Sequence, residues 1–296
     1  MPRILITGAN GQVGFELQRA LAPLGEVKAV TRQQMDLANA DSILAVLDGF
    51  RPSFIVNPAA YTAVDKAESE PELAHAINAT APGLMAEWAA AHDALLVHYS
   101  TDYVFDGSKP DPYREDDEAN PQSVYGRSKW EGEEAIRQTM AHHLILRTSW
   151  VVGAHGNNFL KTILRLARER DQLNIVADQI GAPTTAALIA DVTAQLISQC
   201  CIPTHHFDYG TYHLAASGET SWYDYARYVV ALAEKKGMEL KLNQGALQPI
   251  STSDYPLPAK RPANSRLDCG KLARSFGLTL PDWQQGIDYV FAQLTN

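Results

Sequence analysis

Residues 3–24 read RILITGANGQVGFELQRALAPL, and this stretch decides the fold. Ile4, Leu5 and Ile6 form a short apolar run that breaks into glycines at Gly8, Gly11 and Gly14. Such a run, bounded by glycine, predicts a buried parallel strand over 4–7. Phe15, Leu17, Leu21 and Leu24 then recur at helical spacing, with Glu16, Gln18 and Arg19 between them, so a helix is expected over 14–24. Strand, glycine turn and helix together form the context in which a glycine triplet holds a phosphate group. Gly8 lets the chain turn, Gly11 lets backbone approach a pyrophosphate, and Gly14 lets the helix pack close to the strand. The helix N-terminus offers unpaired N–H groups and a partial positive charge to the phosphates. The spacing is G-x-x-G-x-x-G with no G-K-[ST] ending, which argues against a triphosphate-binding loop. The turn is therefore read as a dinucleotide site.

The alternation continues outward from that turn. Strands are expected over 26–30, 53–60, 94–101 and 143–149, and helices over 41–50, 72–92 and 125–139. Strands alternating with helices imply right-handed βαβ units, hence an α/β, doubly wound, Rossmann-like parallel sheet. Beyond Trp150 the rhythm weakens, with helices expected over 158–170, 187–198 and 221–235. Residues 1–151 are thus expected to form the NAD(P)-binding domain. Residues 152–296 would be mainly a smaller C-terminal substrate-binding lobe, with about 184–216 expected to return to the first domain.

Composition narrows the function. The formal net charge of −9 disfavours a nucleic-acid backbone as partner, and 46% hydrophobic residues is ordinary for a water-soluble globular chain. No apolar run reaches the ~18–20 residues of a membrane span, and MPRILITG has no secretory signal character, so a cytoplasmic protein is expected. Cys200, Cys201 and Cys269 lack the spacing of a disulfide framework and read as reduced thiols. The nine histidines, including adjacent His205 and His206, show no tight ligand spacing, so a catalytic zinc is not expected.

The second strand ends in Thr31 and Arg32 with no carboxylate. NAD sites usually place Asp or Glu there to hold the ribose 2′-hydroxyl, whereas Arg32 suits a 2′-phosphate. NADPH is the expected cofactor, NADH the alternative, and Asp36 and Leu37 are placed to flank the adenine.

VYGRSKWEGEEA sets Tyr125 and Lys129 at i and i+4, one face of a helix. A free phenol titrates near ~10, and a close ammonium would lower that value toward what a proton donor needs. A lone Y-x-x-x-K is weak evidence, and a surface pair is the plain alternative. Position adds weight: VHYSTDYVFDG puts Ser100 and Thr101 at a strand's carboxyl end, where open α/β sheets bind ligands. A hydroxyl, a phenol and an ammonium beside a dinucleotide form a set for hydride transfer to a carbonyl. That chemistry needs no metal.

With these residues in view, the chain resembles the extended short-chain dehydrogenases/reductases. More narrowly, NPAAYTAVDKAESEPELAHAINA, VHYSTDYVFDG, VYGRSKWEGE, LRTSWVVGAHGNNFLKTILRLA, DQIGAPT and RPANSRLD resemble the dTDP-4-dehydrorhamnose reductase family, over about residues 3–285. The resemblance implies NAD(P)H-dependent reduction of the C4 ketone of dTDP-4-dehydro-L-rhamnose, the last step of dTDP-L-rhamnose synthesis. It implies Tyr125 as proton donor, Lys129 as its tuner and holder of the nicotinamide ribose, and Thr101, Asp102, Tyr103, Tyr125 and Trp150 around the sugar. Gly11, Gln12 and Val13 match its pyrophosphate turn, Asp36 and Leu37 its adenine contact, and Ala60, Tyr61 and Thr62 its loop beside the cofactor. Some members hold Mg2+ at a dimer contact. Glu16 matches one ligand, but Ala187 and Gln293 stand at the others and are poor ligands for a hard cation. A monomer and a homodimer both remain open.

Other residues have weaker claims. Arg261 is expected to grip the substrate diphosphate through its fork, and Arg147 is a lesser candidate, against a structural ion pair for each. Asp65, Lys66 and Glu68 are expected to shape a loop over the cofactor. SWYDYARYVV reads as core. The competing function is a non-catalytic subunit that keeps the dinucleotide site, which the intact Thr101/Tyr125/Lys129 set disfavours. A nucleic-acid binder lacks any basic stripe.

Overall fold

The computed structural model describes residues 1–202 and 207–295, so His205 and His206 lie outside the described residues. The first half alternates as the sequence predicts: β1 (Arg3–Ile6), α1 (Gln12–Leu21), β2 (Glu26–Ala29), α2 (Ala40–Phe50), β3 (Phe54–Asn57), α3 (Val64–Ala67), α4 (Pro71–His75), α5 (Ala81–Ala91), β4 (Leu95–Thr101), α6 (Val124–Thr139) and β5 (His143–Thr148). The second half adds β6 (Val151–Val152), α7 (Phe159–Glu169), β7 (Leu173–Val176), β8 (Ile180–Gly181), β9 (Thr184–Thr185), α8 (Ala186–Cys200) and β10 (Gly210–His213). It ends with β11 (Thr220–Ser221), α9 (Trp222–Lys235), β12 (Leu247–Ile250), α10 (Gly270–Phe276) and α11 (Trp283–Thr295).

The main sheet is six-stranded and parallel throughout, in the order β10-β5-β4-β3-β1-β2. The order reverses between β1 and β3, so the carboxyl ends of these strands open a crevice, the usual ligand position of such sheets. The sheet is a Rossmann-like α/β sheet. Each central strand is buried on both faces, which is why it reads as a continuous apolar run. Ile4, Ile6, Val56, Val97 and Leu146 face α1 and α8. Leu5, Ile55, Leu96 and Ile145 face α2, α5 and α6. A separate core gathers Leu160, Ile163, Val229, Val230, Ile287 and Phe291 from α7, α9 and α11.

β10 joins the main sheet alongside β5, and α8 packs on α1 through Leu17, Leu21, Ile189 and Leu196. The small strands pair locally: β6 with β9, β7 with β12 and β8 with β11.

The helix expected over 72–92 is divided. Residues Ala76–Thr80 form a π-helical turn between α4 and α5, with Pro82 in the first turn of α5. Proline supplies no N–H for a regular i→i−4 bond, and a π-turn absorbs the extra residue. The turn places Asn78 inside the protein, where it bonds Tyr61 and α6.

Candidate active site

The glycine turn is shaped by contact. Gly8 has φ +60°, a conformation that glycine adopts without steric cost. A Cβ on Gly14 would stand 2.2 Å from the Gly8 carbonyl oxygen, so only hydrogen fits where α1 starts. Gly11 caps α1 without a side-chain hydrogen bond, and the first turn carries no acidic residue. The N–H groups at the start of this helix therefore face the crevice with their positive end intact.

A cavity of about 670 Å³ runs from this turn along the carboxyl ends of the strands. Gly8, Gly11, Gln12, Val13 and Gly14 line its floor; Arg32, Met35, Asp36 and Leu37 line one end; Ala60, Tyr61 and Thr62 line a side. Tyr125 and Lys129 stand at its other end, with Tyr99, Ser100 and Thr148. Arg32 lies 3.7 Å from Asp36 with its side chain largely exposed, free to turn to a bound phosphate. An elongated cavity, a glycine cradle that a Cβ would fill, and a helix N-terminus fit a dinucleotide.

The strand β4 and the helix α6 bring the chemical groups together. A Cβ on Gly126 would lie 2.2 Å from the Tyr103 carbonyl oxygen, so this glycine lets α6 close onto the loop after β4. Ser123 caps α6 through the Gly126 N–H, and Glu68 accepts from the Val124 N–H at 2.8 Å. The Tyr125 ring meets Tyr103 edge to face at 5.4 Å. Burial pushes the Tyr125 phenol up to about 12, offset in part by the Thr101 hydroxyl. Burial pulls the Lys129 ammonium down to about 8, against Glu133. The expected lowering of the phenol by the ammonium is thus not what this arrangement produces. Lys129 Nζ donates to the Tyr99 carbonyl at 2.6 Å and meets His98 Nε2 at 3.0 Å, and desolvation governs the phenol.

Asp102 is buried beside these groups. Thr101 Oγ1 donates to its Oδ1 at 3.1 Å, while its Oδ2 has no partner among the described residues. Burial pushes this carboxyl up to about 6. A carboxyl raised in the folded state keeps a proton that the unfolded chain releases between about pH 4 and about pH 6, so stability falls as pH rises through that window. Asp102→Asn should remove this slope. Between about pH 4 and about pH 7 the variant should gain up to ~3 kcal/mol on the parent in thermal or urea unfolding. Parallel pH curves for the two proteins would show that Asp102 is ionised at little cost.

Several expected residues stand elsewhere. Trp150 has φ +48° and stacks on Trp222 at 3.6 Å, in the wall of the second core and outside the lining of the cavity. The Arg261 fork is held by Asp65 at 3.0 and 2.7 Å, which ties the 259–261 loop to α3. Arg147 is buried and paired with Glu133 at 2.7 Å, the structural alternative weighed for it. Lys66 pairs with Glu70. For magnesium, the residues do not fit: Glu16 lies 3.6 Å from Arg19, and no group of three or more His, Cys, Asp or Glu side chains among the described residues could hold a metal. No helix among the described residues is long and apolar enough to cross a membrane.

Other residues at the site were not singled out from sequence. Thr148 and Ser149 have buried hydroxyls without partners among the described residues, at the end of β5. A Thr-Ser pair ending the strand next to β4 was the available signal. Asn78 holds Tyr61 through both backbone groups and meets Ser128 at 3.0 Å, a role its Ala-rich surroundings hid. Gly156 and Asn157 reach the cavity because Asn158 donates to Gln12 Oε1 at 2.9 Å and His155 bonds the Asn10 carbonyl.

Comparison with known proteins matches this architecture. The family described as RmlD substrate binding domain matches residues 2–296. The chain is 49% identical to dTDP-4-dehydrorhamnose reductase of Escherichia coli (strain K12), over 98% of this chain and 97% of that one. It superposes on the dTDP-4-dehydrorhamnose reductase of Bacillus anthracis str. Ames, solved in complex with NADP, with a TM-score of 0.90 at 36% identity and 99% coverage of both chains. A dTDP-4-dehydrorhamnose reductase structure from Clostridium acetobutylicum ATCC 824 gives a TM-score of 0.91 at 37% identity, over 99% of this chain and 100% of that one. With a cavity built for a dinucleotide and similarity running the whole length, the chain belongs to the dTDP-4-dehydrorhamnose reductase family of oxidoreductases.

Proposed function

We propose that the protein reduces the C4 ketone of dTDP-4-dehydro-L-rhamnose with NADPH, giving dTDP-L-rhamnose, the last step of dTDP-rhamnose synthesis. The observation that carries this reading is the convergence of Tyr125 and Lys129 on the same cavity that the glycine turn lines. The activity for which its relatives are named, and the NADP bound in one of them, agree with it.

Bound NADPH would supply the hydride. Gly11, Gln12 and Val13 would hold the pyrophosphate at the start of α1, and Asp36 and Leu37 would hold the adenine. Ala60, Tyr61 and Thr62 would flank the cofactor. Tyr125 gives its phenolic proton to the ketone oxygen as that oxygen gains charge. Lys129 stabilises the phenolate left behind, and Thr101 can join it only by turning its hydroxyl from Asp102. Thr101, Asp102 and Tyr103 border the sugar. Trp150 and Arg261 act on the substrate only after leaving their present partners, Trp222 and Asp65. The second core, with α7, α9 and α11, carries the substrate lobe.

The test is the near-ultraviolet absorbance of reduced nicotinamide, followed with purified protein and enzymatically prepared dTDP-4-dehydro-L-rhamnose. Substrate-dependent loss of absorbance supports the reading. No loss with either NADPH or NADH, despite cofactor binding, points instead to a different keto-sugar or a non-catalytic subunit. The same assay tests Arg32. Arg32→Ala should lower the preference for NADPH over NADH by about tenfold, the value of one exposed charge-assisted phosphate contact. An unchanged ratio would assign the 2′-phosphate to other groups.

A further inference from the structure

A row of buried polar side chains leads from the glycine turn to Lys129, and the mechanism above leaves it unused. The Ala59 N–H donates to Thr7 Oγ1 at 3.2 Å, and Thr7 Oγ1 lies 2.6 Å from Asn57 Oδ1. Asn57 Nδ2 lies 3.1 Å from His98 Nδ1, and His98 Nε2 lies 3.0 Å from Lys129 Nζ. Thr7, Asn57, His98 and Lys129 are each at most 2% exposed. The row passes from the ends of β1 and β3 to the middle of β4 and finishes on α6. Its first residue, Thr7, is among those that line the cofactor cavity.

The protons of this row can be counted. Burial and the charge of Lys129 hold His98 well below its ordinary value, so the ring is neutral and has one N–H. An ammonium only donates, so beside charged Lys129 the Nε2 atom must accept and the ring proton sits on Nδ1. Asn57 must then turn its amide oxygen to the ring and its NH2 to Thr7, which leaves the Thr7 hydroxyl proton free for the cavity. In the other arrangement Asn57 donates to Nδ1 and the ring proton sits on Nε2. Nζ must then accept it, as a neutral amine, and the Thr7 proton is taken by Asn57. The carboxamide presents either atom after a half-turn, so both arrangements fit the same heavy-atom positions.

We infer that Thr7, Asn57 and His98 form a positioning chain that links the charge of Lys129 to the direction of the Thr7 hydroxyl at the cofactor cavity. His98 is the element that switches, by exchanging its tautomer. Linkage makes the effect reciprocal: a ligand that accepts from Thr7 favours the ammonium, and the ammonium favours that ligand. The other groups facing Lys129 are fixed in charge over the working range. Glu133 on α6 is held as a carboxylate by Arg147 of β5 and Arg137, Tyr125 stays a phenol, and Tyr99 offers only its carbonyl. The role of Lys129 in turnover rests on the function proposed above, whereas the tautomer switch does not.

The experiment records long-range 15N–1H correlations of ligand-free protein labelled with 15N-histidine, from about pH 6 to about pH 10. The His98 signal is identified by its loss in His98→Asn. The expected result is the Nδ1–H form at the low end and the Nε2–H form at the high end, with a midpoint that follows Lys129 and vanishes in Lys129→Met. One tautomer throughout, or a midpoint that survives Lys129→Met, overturns the switch. Kinetics supply the second readout. The Gln amide reaches the Nε2 position and the Asn amide only the Nδ1 position. His98→Asn should therefore move the alkaline limb of kcat/KM down by about one pH unit and lower kcat about tenfold, while His98→Gln restores both to within about threefold. Equal behaviour of the two variants overturns the positioning role. If the protein turns over no tested ketone, the spectra alone decide the switch, so its failure stays separable from failure of the proposed function.

Discussion

Tyr125→Phe is expected to lower turnover by about 10²–10⁴-fold while NADPH binds as before. The change removes one oxygen from a ring packed edge to face on Tyr103, so the packing of α6 against the loop after β4 is retained. In the proposed reaction the lost oxygen is the acid. Raised to about 12 by burial, the phenol is protonated at every pH where the protein is folded and active, so it is always able to donate. The alkaline loss of activity in the free enzyme should accordingly belong to Lys129, whose ammonium is lost as pH rises past about 8. Stopped-flow absorbance separates the chemical step from release, and quenching of protein fluorescence by NADPH measures binding. A variant that keeps near-parental turnover would move the proton donor to another group, with Asp102 first in line because its carboxyl, raised to about 6, keeps a proton in mild acid.

Gly14→Ala should damage the core and the glycine turn together. Its Cβ would stand 2.2 Å from the Gly8 oxygen and 3.2 Å from the Thr7 oxygen, and both are backbone atoms that cannot rotate away. Either α1 retreats from β1 or the glycine turn opens. Retreat separates Leu17 and Leu21 from Ile4 and Ile6 in the core, at a cost of ~1–3 kcal/mol or more. Opening removes the N–H cradle proposed to hold the pyrophosphate. We expect a lower unfolding midpoint together with at least a ~10-fold weaker Kd for NADPH, read by thermal unfolding with and without cofactor and by fluorescence titration. Loss of stability with unchanged affinity would mean that the cradle is not where the cofactor is held.

What was legible in the sequence was whatever is encoded within a few residues. The glycine turn, the buried strands and the Tyr125–Lys129 face follow from local spacing, because burial on both faces and a helical period each leave a direct pattern. The interruption at 76–80 was hidden, since alanine-rich helix and π-turn share one composition. The helix at Trp283–Thr295 was also missed: WQQGIDYVFAQLT carries a glycine and no charged residue in its first turn to mark the start. Pairings across the chain were out of reach for a different reason. Asp65 and Arg261 meet over 196 residues, and His98 and Lys129 over 31, so no local pattern links them. Arg261 read alone looked like a free fork for phosphate, and Lys129 read alone looked like a partner of Tyr125 and the cofactor, with no sign of His98.

The sixth strand arrives late. β5 is complete at Thr148, yet the strand that covers its edge begins at Gly210, and the helix that covers α1 begins at Ala186. During synthesis at about 5–20 residues per second, the nascent chain presents β5 with an open edge for several seconds. Ile4, Val56, Val97 and Leu146 meanwhile wait for Ile189 and Leu196 to close over them. An open parallel edge beside uncovered aliphatic side chains is a template for joining a neighbouring chain. Vulnerability to aggregation is therefore concentrated in a brief stage of biogenesis, and it ends when the second half of the chain reaches back to seal the first.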